Sequence, residues 1–267
     1  MSDWRPRLIA SDMDGTLLRW DDTVSEATVA ELERWRADGV PVVLATGRPP
    51  RWMHRIREVL RYGTAVCCNG AVLMDLERFE IIHEEPLHPD VLESVTTELR
   101  RRQPDTWFAV EYGLEFRHEP IYQPRWDVEA PGVAEATLDE MVAQPVAKLL
   151  ARHESLPRDE FVALVGDVIG ERATVTHSST DALAEISAAG VTKASGLARV
   201  AARHGIGPED VVVFGDMPND IAAFEWVRAA GGRAVAMAHA HADLMAVATD
   251  VTGTNEDDGV AAFLAAL

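Results

Sequence analysis

The sequence predicts an α/β protein in which a parallel-sheet core is interrupted by an inserted α+β domain. Three observations carry this. Residues 1–84 alternate short apolar runs with helical patterns, which is how βαβ units read. Residues 186–267 return to the same alternation. Between them, residues 85–185 mix aromatic and β-branched segments with helix-like stretches and polar loops, the pattern of an antiparallel sheet with helices.

In chain order, Leu8-Ile9-Ala10 is the first buried strand and runs directly into Asp12-Met13-Asp14-Gly15-Thr16. Ser25 caps a helix on which Val29, Leu32 and Trp35 recur at three-residue spacing, and Asp38-Gly39 closes it. Val42-Val43-Leu44-Ala45 is the next strand, followed by Thr46-Gly47-Arg48-Pro49-Pro50 and a helix over 51–60. Ala65-Val66-Cys67-Cys68 is a third strand that stops at Asn69-Gly70. A hairpin over 72–82 turns at Asp75, Glu77 and Arg78, and Pro86-Leu87-His88-Pro89 breaks the chain before a helix over 90–102.

The inserted block has strands at Trp107–Val110, Val146–Leu150 and Ala173–Thr176, with Gln123-Pro124-Arg125 as a polar loop. Beyond it, Lys193 heads a helix to His204 that Gly205 stops. Val211-Val212-Val213-Phe214 is a buried strand, Gly215-Asp216-Met217-Pro218-Asn219-Asp220 leads into another helix, and Ala234–Met237 is the last core strand.

Composition removes several function classes. The chain has 267 residues and 47% hydrophobic content, enough for a real core. With 25 Lys+Arg against 44 Asp+Glu, its formal charge of −19 repels nucleic-acid backbones and anionic membrane surfaces. No run approaches the roughly 20 apolar residues of a membrane span, and Met1–Pro6 lacks the apolar segment of a signal peptide. Adjacent Cys67 and Cys68 offer no disulfide framework. The expectation is a cytoplasmic protein without nucleic-acid or membrane partners, whose composition is compatible with a homo-oligomer.

Three polar clusters directly follow three apolar runs: Asp12 and Asp14, then Thr46, then Asp216, Asn219 and Asp220. In a parallel α/β sheet the crevice beyond the carboxyl ends of the strands binds ligands, so these clusters converge although far apart in sequence. Asp12, Asp14 and Asp216 packed together repel one another unless a hard cation lies among them, and all-oxygen ligation suits Mg2+. That cation also answers the difficulty of an acidic protein handling a phosphate ester.

Two carboxylates on a turn made tight by Gly15 allow a division of labour, with Asp12 attacking phosphorus and Asp14 transferring the proton. Thr46, with the nearby N–H of Gly47, donates to phosphoryl oxygens. Lys193, one of two lysines with Lys148, supplies a compact cation. Asn219 joins them as a substrate-binding candidate, and Asp220 orients the lysine or metal-bound water.

Asp12-Met13-Asp14-Gly15-Thr16, Ala45-Thr46-Gly47-Arg48, Lys193 and Gly215-Asp216-Met217-Pro218-Asn219-Asp220, in that order, resemble the four motifs of the haloacid dehalogenase superfamily. Asn69-Gly70-Ala71, the long insertion after it, Glu185-Ile186, Gly190-Val191-Thr192-Lys193 and Asn255-Glu256-Asp257-Asp258-Gly259-Val260 resemble the Cof-type, sugar-phosphatase-like subgroup with a large α/β cap. The resemblance implies a Rossmann-like core over 1–84 and 186–267 and a cap over 85–185. It implies a phospho-aspartate on Asp12, a proton-transferring Asp14, and magnesium held by Asp12, Asp216 and the backbone carbonyl of Asp14. It also implies a sugar phosphate or related small phosphate ester as substrate. His239-Ala240 departs from the Asn-Ala that such proteins commonly carry there.

Other residues read as packing or surface. Cys67 and Cys68 lack zinc spacing, and Trp35, Trp52 and Trp226 sit at helical core positions. His239 and His241 alternate in a polar loop as a fortuitous pair, His83 and His88 mark a boundary, and Arg48 either touches substrate or forms a salt bridge to the acidic surface. In the cap, Glu111-Tyr112-Gly113 and Arg117-His118 are either specificity residues or an ordinary exposed turn. Two rival functions remain. A phosphomutase of the phosphomannomutase type needs convergent cap cations, drawn from Arg117, Arg125, Lys148 and Arg152. A non-catalytic phosphometabolite-binding regulator has no use for Asp14.

Overall fold

The computed structural model describes residues 4–122, 124, 130–177 and 182–267. Strands β1 (Leu8–Ser11), β2 (Val42–Ala45), β3 (Thr64–Cys67), β4 (Val72–Asp75) and β5 (Glu80–Glu84) come first. Next are β6 (Trp107–Tyr112), β7 (Glu115–His118), β8 (Val133–Glu135), β9 (Lys148–Arg152), β10 (Ala173–Thr176) and β11 (Leu183–Ala188). The last are β12 (Val211–Gly215), β13 (Arg233–Ala236) and β14 (Asp250–Val251). They form two sheets, ordered β14-β13-β12-β1-β2-β3-β4-β5 and β10-β11-β9-β6-β7-β8.

The chain divides into two compact units. The first holds Met1–Arg48, Trp52–Ile82 and Thr192–Leu267, and the second Pro49–Arg51 and His83–Val191. A boundary at 185 falls inside β11, whose ladder with β10 continues through Ala188 opposite Ala173.

In the first unit β1 is central and parallel to both neighbours, with Leu8 opposite Val211 and Ile9 opposite Val42. Every residue of β1, β2 and β12 is buried, as expected for strands covered on both faces. The sheet stays parallel from β14 through β3, and β4 returns antiparallel to β3. The helix Glu26–Ala37 begins where Ser25 Oγ accepts the Thr28 N–H, and it buries Thr28, Leu32 and Trp35, with Val29 only half-buried. The helix expected over 51–60 is shorter: a 3-10 turn at Pro50–Trp52 leads into Met53–Arg57. Pro49-Pro50 lacks N–H donors and Trp52 offers no side-chain cap, so the first turn tightens.

In the second unit β6, β9, β11 and β10 pair antiparallel, β7 is antiparallel to β6, and β8 is parallel to β7. Leu92, Val95 and Leu99 of the helix Pro89–Arg102 and Phe161 and Val165 of Arg158–Ile169 join one core with Phe108, Val110, Leu149 and Ile186. Ala109, Phe116, Tyr122 and Leu150 form a separate, smaller cluster. Gln123 and Arg125 lie outside the described residues. Among the described residues no helix is long and apolar enough to cross a membrane.

Candidate active site

Parallel pairing of β1, β2 and β12 brings their carboxyl ends to one edge of the first sheet. The Asp12 N–H continues the ladder to Phe214 O at 2.9 Å, and the Thr46 N–H bonds Val66 O at 2.8 Å. Gly15 adopts φ 74°, and a β-carbon there would stand 2.5 Å from Asp216 Oδ2, so the Asp12 loop approaches Asp216 only because residue 15 is glycine. Thr16 Oγ1 donates to Asp216 Oδ1 at 3.0 Å.

Lys193 opens the helix Lys193–Arg203, which Thr192 and Ser195 start with a reciprocal capping box. Gly70, at φ 115°, leaves no room for a β-carbon beside the Thr192 carbonyl, so the Asn69-Gly70 turn packs directly on that helix start. Lys193 Nζ, fully buried, donates to Asp12 Oδ1 at 2.7 Å and Asp220 Oδ1 at 2.6 Å. Asp220 Oδ2 accepts the N–H groups of Asp216 and Met217, both at 3.1 Å. Asn219 Nδ2 donates to Asn69 Oδ1 at 3.1 Å, while its buried Oδ1 accepts no hydrogen bond from the described residues.

Asp12, Asp216 and Asp220 each place a carboxylate oxygen within 4.8 Å of the other two. Burial pushes the Asp12 carboxyl well above the usual carboxylate range; Lys193 opposes this, and Asp220, Asp216 and Asp14 reinforce it. Asp216 is pushed up to about 6 by burial and then by Asp220, with Thr16, Lys193 and His239 pulling the other way. Burial alone would lower the Lys193 ammonium, yet Asp12 and Asp220 hold it above its ordinary value. Three buried carboxylates thus lie around one ammonium, which bonds only Asp12 and Asp220. The oxygens Asp12 Oδ2 and Asp216 Oδ2 accept no hydrogen bond from any described residue. An all-oxygen donor set with this excess of negative charge fits a hard divalent cation.

The third carboxylate of the cluster is Asp220, not Asp14. Asp14 turns its side chain to Arg48, whose Nε lies 2.9 Å from Oδ2 and whose Nη2 lies 2.5 Å from Oδ1. Arg48 Nη2 also donates to Asp22 Oδ1 at 2.7 Å, and the Arg48 N–H donates to Thr46 Oγ1 at 3.0 Å. Gly47 stands between them, half-buried. The salt bridge to exposed acidic residues expected of Arg48 exists, and one of its two partners is the candidate site residue Asp14. His239, which stands where the resemblance expects asparagine, places Nε2 2.9 Å from the Gly15 carbonyl oxygen; a carbonyl only accepts, so that nitrogen is the donor. The same loop is fastened by the His241 N–H to Asp216 O at 2.8 Å.

In the second unit, Glu111 is buried rather than part of an exposed turn. Arg51 Nε donates to Glu111 Oε2 at 3.0 Å and Nη2 to Oε1 at 3.2 Å. Burial raises the Glu111 carboxyl, opposed by Arg51 and Lys148. Lys148 Nζ lies 3.6 Å from Glu185 Oε1. Tyr112 and Gly113 lead into the turn to β7, with Gly113 at φ 53°. Arg117 pairs with Glu115, His118 Nδ1 contacts Glu119 O at 2.8 Å, and the Arg152 guanidinium lies 4.4 Å from the Tyr122 ring centre. Arg125 lies outside the described residues.

The family model for haloacid dehalogenase-like hydrolases matches residues 9–264. A 5-amino-6-(5-phospho-D-ribitylamino)uracil phosphatase of Bacillus subtilis is 30% identical over 277 residues, covering 97% of each chain. The pyridoxal phosphate phosphatase of Escherichia coli is 28% identical over 272 residues, again covering 97% of each. Among solved structures, a haloacid dehalogenase-like hydrolase from Bacteroides thetaiotaomicron superposes with TM-score 0.79 at 25% identity, over 99% of both chains.

Proposed function

The chain belongs to the haloacid dehalogenase-like hydrolase family, in its Cof-type subgroup, and is a phosphatase of small phosphate esters; on that premise we propose that it works with magnesium, through a phospho-aspartate on Asp12, on a sugar phosphate or related metabolite. The observation that carries this reading is the buried Lys193–Asp12 contact of 2.7 Å inside a three-carboxylate cluster at the ends of adjacent parallel strands. Lys193 fixes one oxygen of Asp12 and leaves the other available for in-line attack.

In the first half-reaction Asp12 Oδ2 forms the new P–O bond as the bond to the alcohol breaks, and Asp14 gives its proton to the departing oxygen. In the second, Asp14 takes a proton from water, the water oxygen attacks phosphorus, and Asp12 is released with inorganic phosphate. Thr46 Oγ1, the Gly47 N–H, Lys193 and Asn219 bind the phosphoryl oxygens. Asp220, through its bonds to Lys193 and to the Asp216 N–H, holds the lysine between the carboxylates. Asp12, Asp216 and the Asp14 carbonyl would hold magnesium, which when bound neutralises charge on the phosphoryl oxygens. The choice of alcohol is assigned to the inserted unit.

A phosphomutase is the weaker reading, since Arg117, Lys148 and Arg152 face separate partners: Glu115, Glu185 and the Tyr122 ring. Phosphate release from a panel of phosphorylated metabolites, with magnesium and with EDTA, tests the proposal. Release that requires magnesium and disappears in Asp12→Asn supports it. Undiminished turnover in that variant, or conversion of a sugar phosphate to its isomer without phosphate release, overturns it.

A further inference from the structure

Asp14 stands outside the acidic cluster because a cation three residues beyond β2 holds it. The Arg48 fork spans two carboxylates of one loop: Nε lies 3.1 and 2.9 Å from the two Asp14 oxygens, and Nη2 lies 2.5 Å from Asp14 Oδ1 and 2.7 Å from Asp22 Oδ1. The Arg48 side chain is 14% exposed, against 55% for Asp14 and 58% for Asp22. Its main chain is pinned at both ends. The N–H bonds Thr46 Oγ1 at 3.0 Å, and the carbonyl accepts the Cys68 N–H at 3.0 Å.

Asp22 is placed just as firmly. It sits at φ 64°, inside a turn closed by the Arg19 N–H to Thr23 O at 2.8 Å and the Asp22 N–H to Arg19 O at 3.0 Å. An ordinary surface ion pair joins two long, mobile side chains and contributes little. Here a mostly covered guanidinium on a fixed backbone grips a short Asp side chain by both oxygens. Rotation of that carboxylate breaks paired charge-assisted bonds, which a lysine ammonium could not supply in the same geometry.

We propose that Arg48 is a positioning residue for proton transfer: with Asp22 it sets the direction of the Asp14 carboxylate, so its importance grows with the leaving alcohol's need for a proton. The proposal rests on the reading of Asp14 as the proton-transferring residue. A general acid acts only within hydrogen-bond reach of the oxygen it protonates, so a carboxylate free to turn loses effect without any change in binding of the phosphoryl group.

The test uses two substrates, glucose 6-phosphate, whose alkoxide needs a proton, and p-nitrophenyl phosphate, whose phenolate leaves without one. The ratio of kcat/KM values isolates the first phosphoryl transfer from hydrolysis of the phosphoenzyme. Arg48→Ala is expected to lose about tenfold or more on the sugar phosphate beyond its loss on the aryl phosphate. Arg48→Lys and Asp22→Asn should show smaller selective losses, and they stand in for Arg48→Ala if its melting curve shows that it does not fold. Asp14→Asn should show the largest selective loss, and the double variant Arg48→Ala/Asp14→Asn should be no worse than Asp14→Asn alone. Equal losses on both substrates in the Arg48 and Asp22 variants, additive losses in the double variant, or a gain in activity would each overturn the proposal while leaving the role of Asp14 standing. An unselective loss in Asp14→Asn would remove that role, and the Arg48 proposal with it.

Discussion

The first unit buries Asp12, Asp216 and Asp220 around the ammonium of Lys193, whereas the second buries Arg51 on Glu111 and places Lys148 beside Glu185. Both clusters take charge out of water, which is costly unless the charges pair. In the second, each carboxylate has a cation beside it: Arg51 meets Glu111 with two roughly parallel bonds, and Lys148 faces Glu185. The first is not matched, and its carboxylates are pushed upward by burial and by one another. A buried cluster with a cation for each carboxylate needs no further charge. An unbalanced one is stable in its ionised form only when something positive joins it, and this imbalance is what supports the proposed cation there.

The largest effect is expected from Asp12→Asn, which should lower phosphate release by about four orders of magnitude or more, measured by steady-state phosphate assay in magnesium. Matched lysine variants come next. Lys193→Met should cost about 3–5 kcal/mol in denaturant unfolding by leaving carboxylates unpaired, and saturating magnesium should restore part of the loss. Lys148→Met, in the balanced cluster, should also destabilise, but magnesium should restore none of it. Equal rescue of both variants would erase the distinction between the clusters.

Magnesium at about a hundredfold excess over its Kd should stabilise the unaltered protein by roughly 2–3 kcal/mol, read as a rise in Tm. Asp216→Asn should lose most of that rise.

A smaller effect follows from pH. The folded-state value for Asp216 is about 6 against an ordinary 3.8, so between those values the folded chain holds a proton that the unfolded chain has lost. In EDTA this contribution to stability is present below about pH 4 and is lost as pH rises through about 6. Magnesium needs the ionised carboxylates, so its stabilisation should grow over the same interval. Melting curves in EDTA and in magnesium should therefore diverge with rising pH, and parallel curves would contradict the assignment.

The smallest effect is expected from His239→Asn, which can keep a donor near Gly15 O and should change stability by less than about 1 kcal/mol.

The placement of Asp12, Thr46 and Asp216 was legible because each directly follows an apolar run, and parallel strands bring such ends together. Lys193 was legible through its rarity in an arginine-rich chain. The exchange of Asp14 for Asp220 in the cluster was not. It depends on the Met217–Asp220 turn folding back to bond the Asp216 N–H, and on an Arg48 fork set by the left-handed backbone at Asp22. Periodicity carries neither. The sequence leaves Glu111 between a specificity residue and an exposed turn; β6 continues through it to Tyr112, and its partner Arg51 lies far away in sequence. The shortened helix at Met53–Arg57 had a readable cause in Pro49-Pro50, whereas the extension of β11 past residue 185 required its partner strand to be known.

Asp12, with one oxygen held by Lys193, is the proposed acceptor of the phosphoryl group. Its most direct test is acid quench of the enzyme during turnover of a phosphate ester labelled in the phosphoryl group, followed by peptide mapping of the denatured protein. Covalent label is expected on the peptide containing Asp12, released by hydroxylamine and missing from Asp12→Asn. Label on another residue, or phosphate released with no labelled enzyme at any quench time, would contradict it.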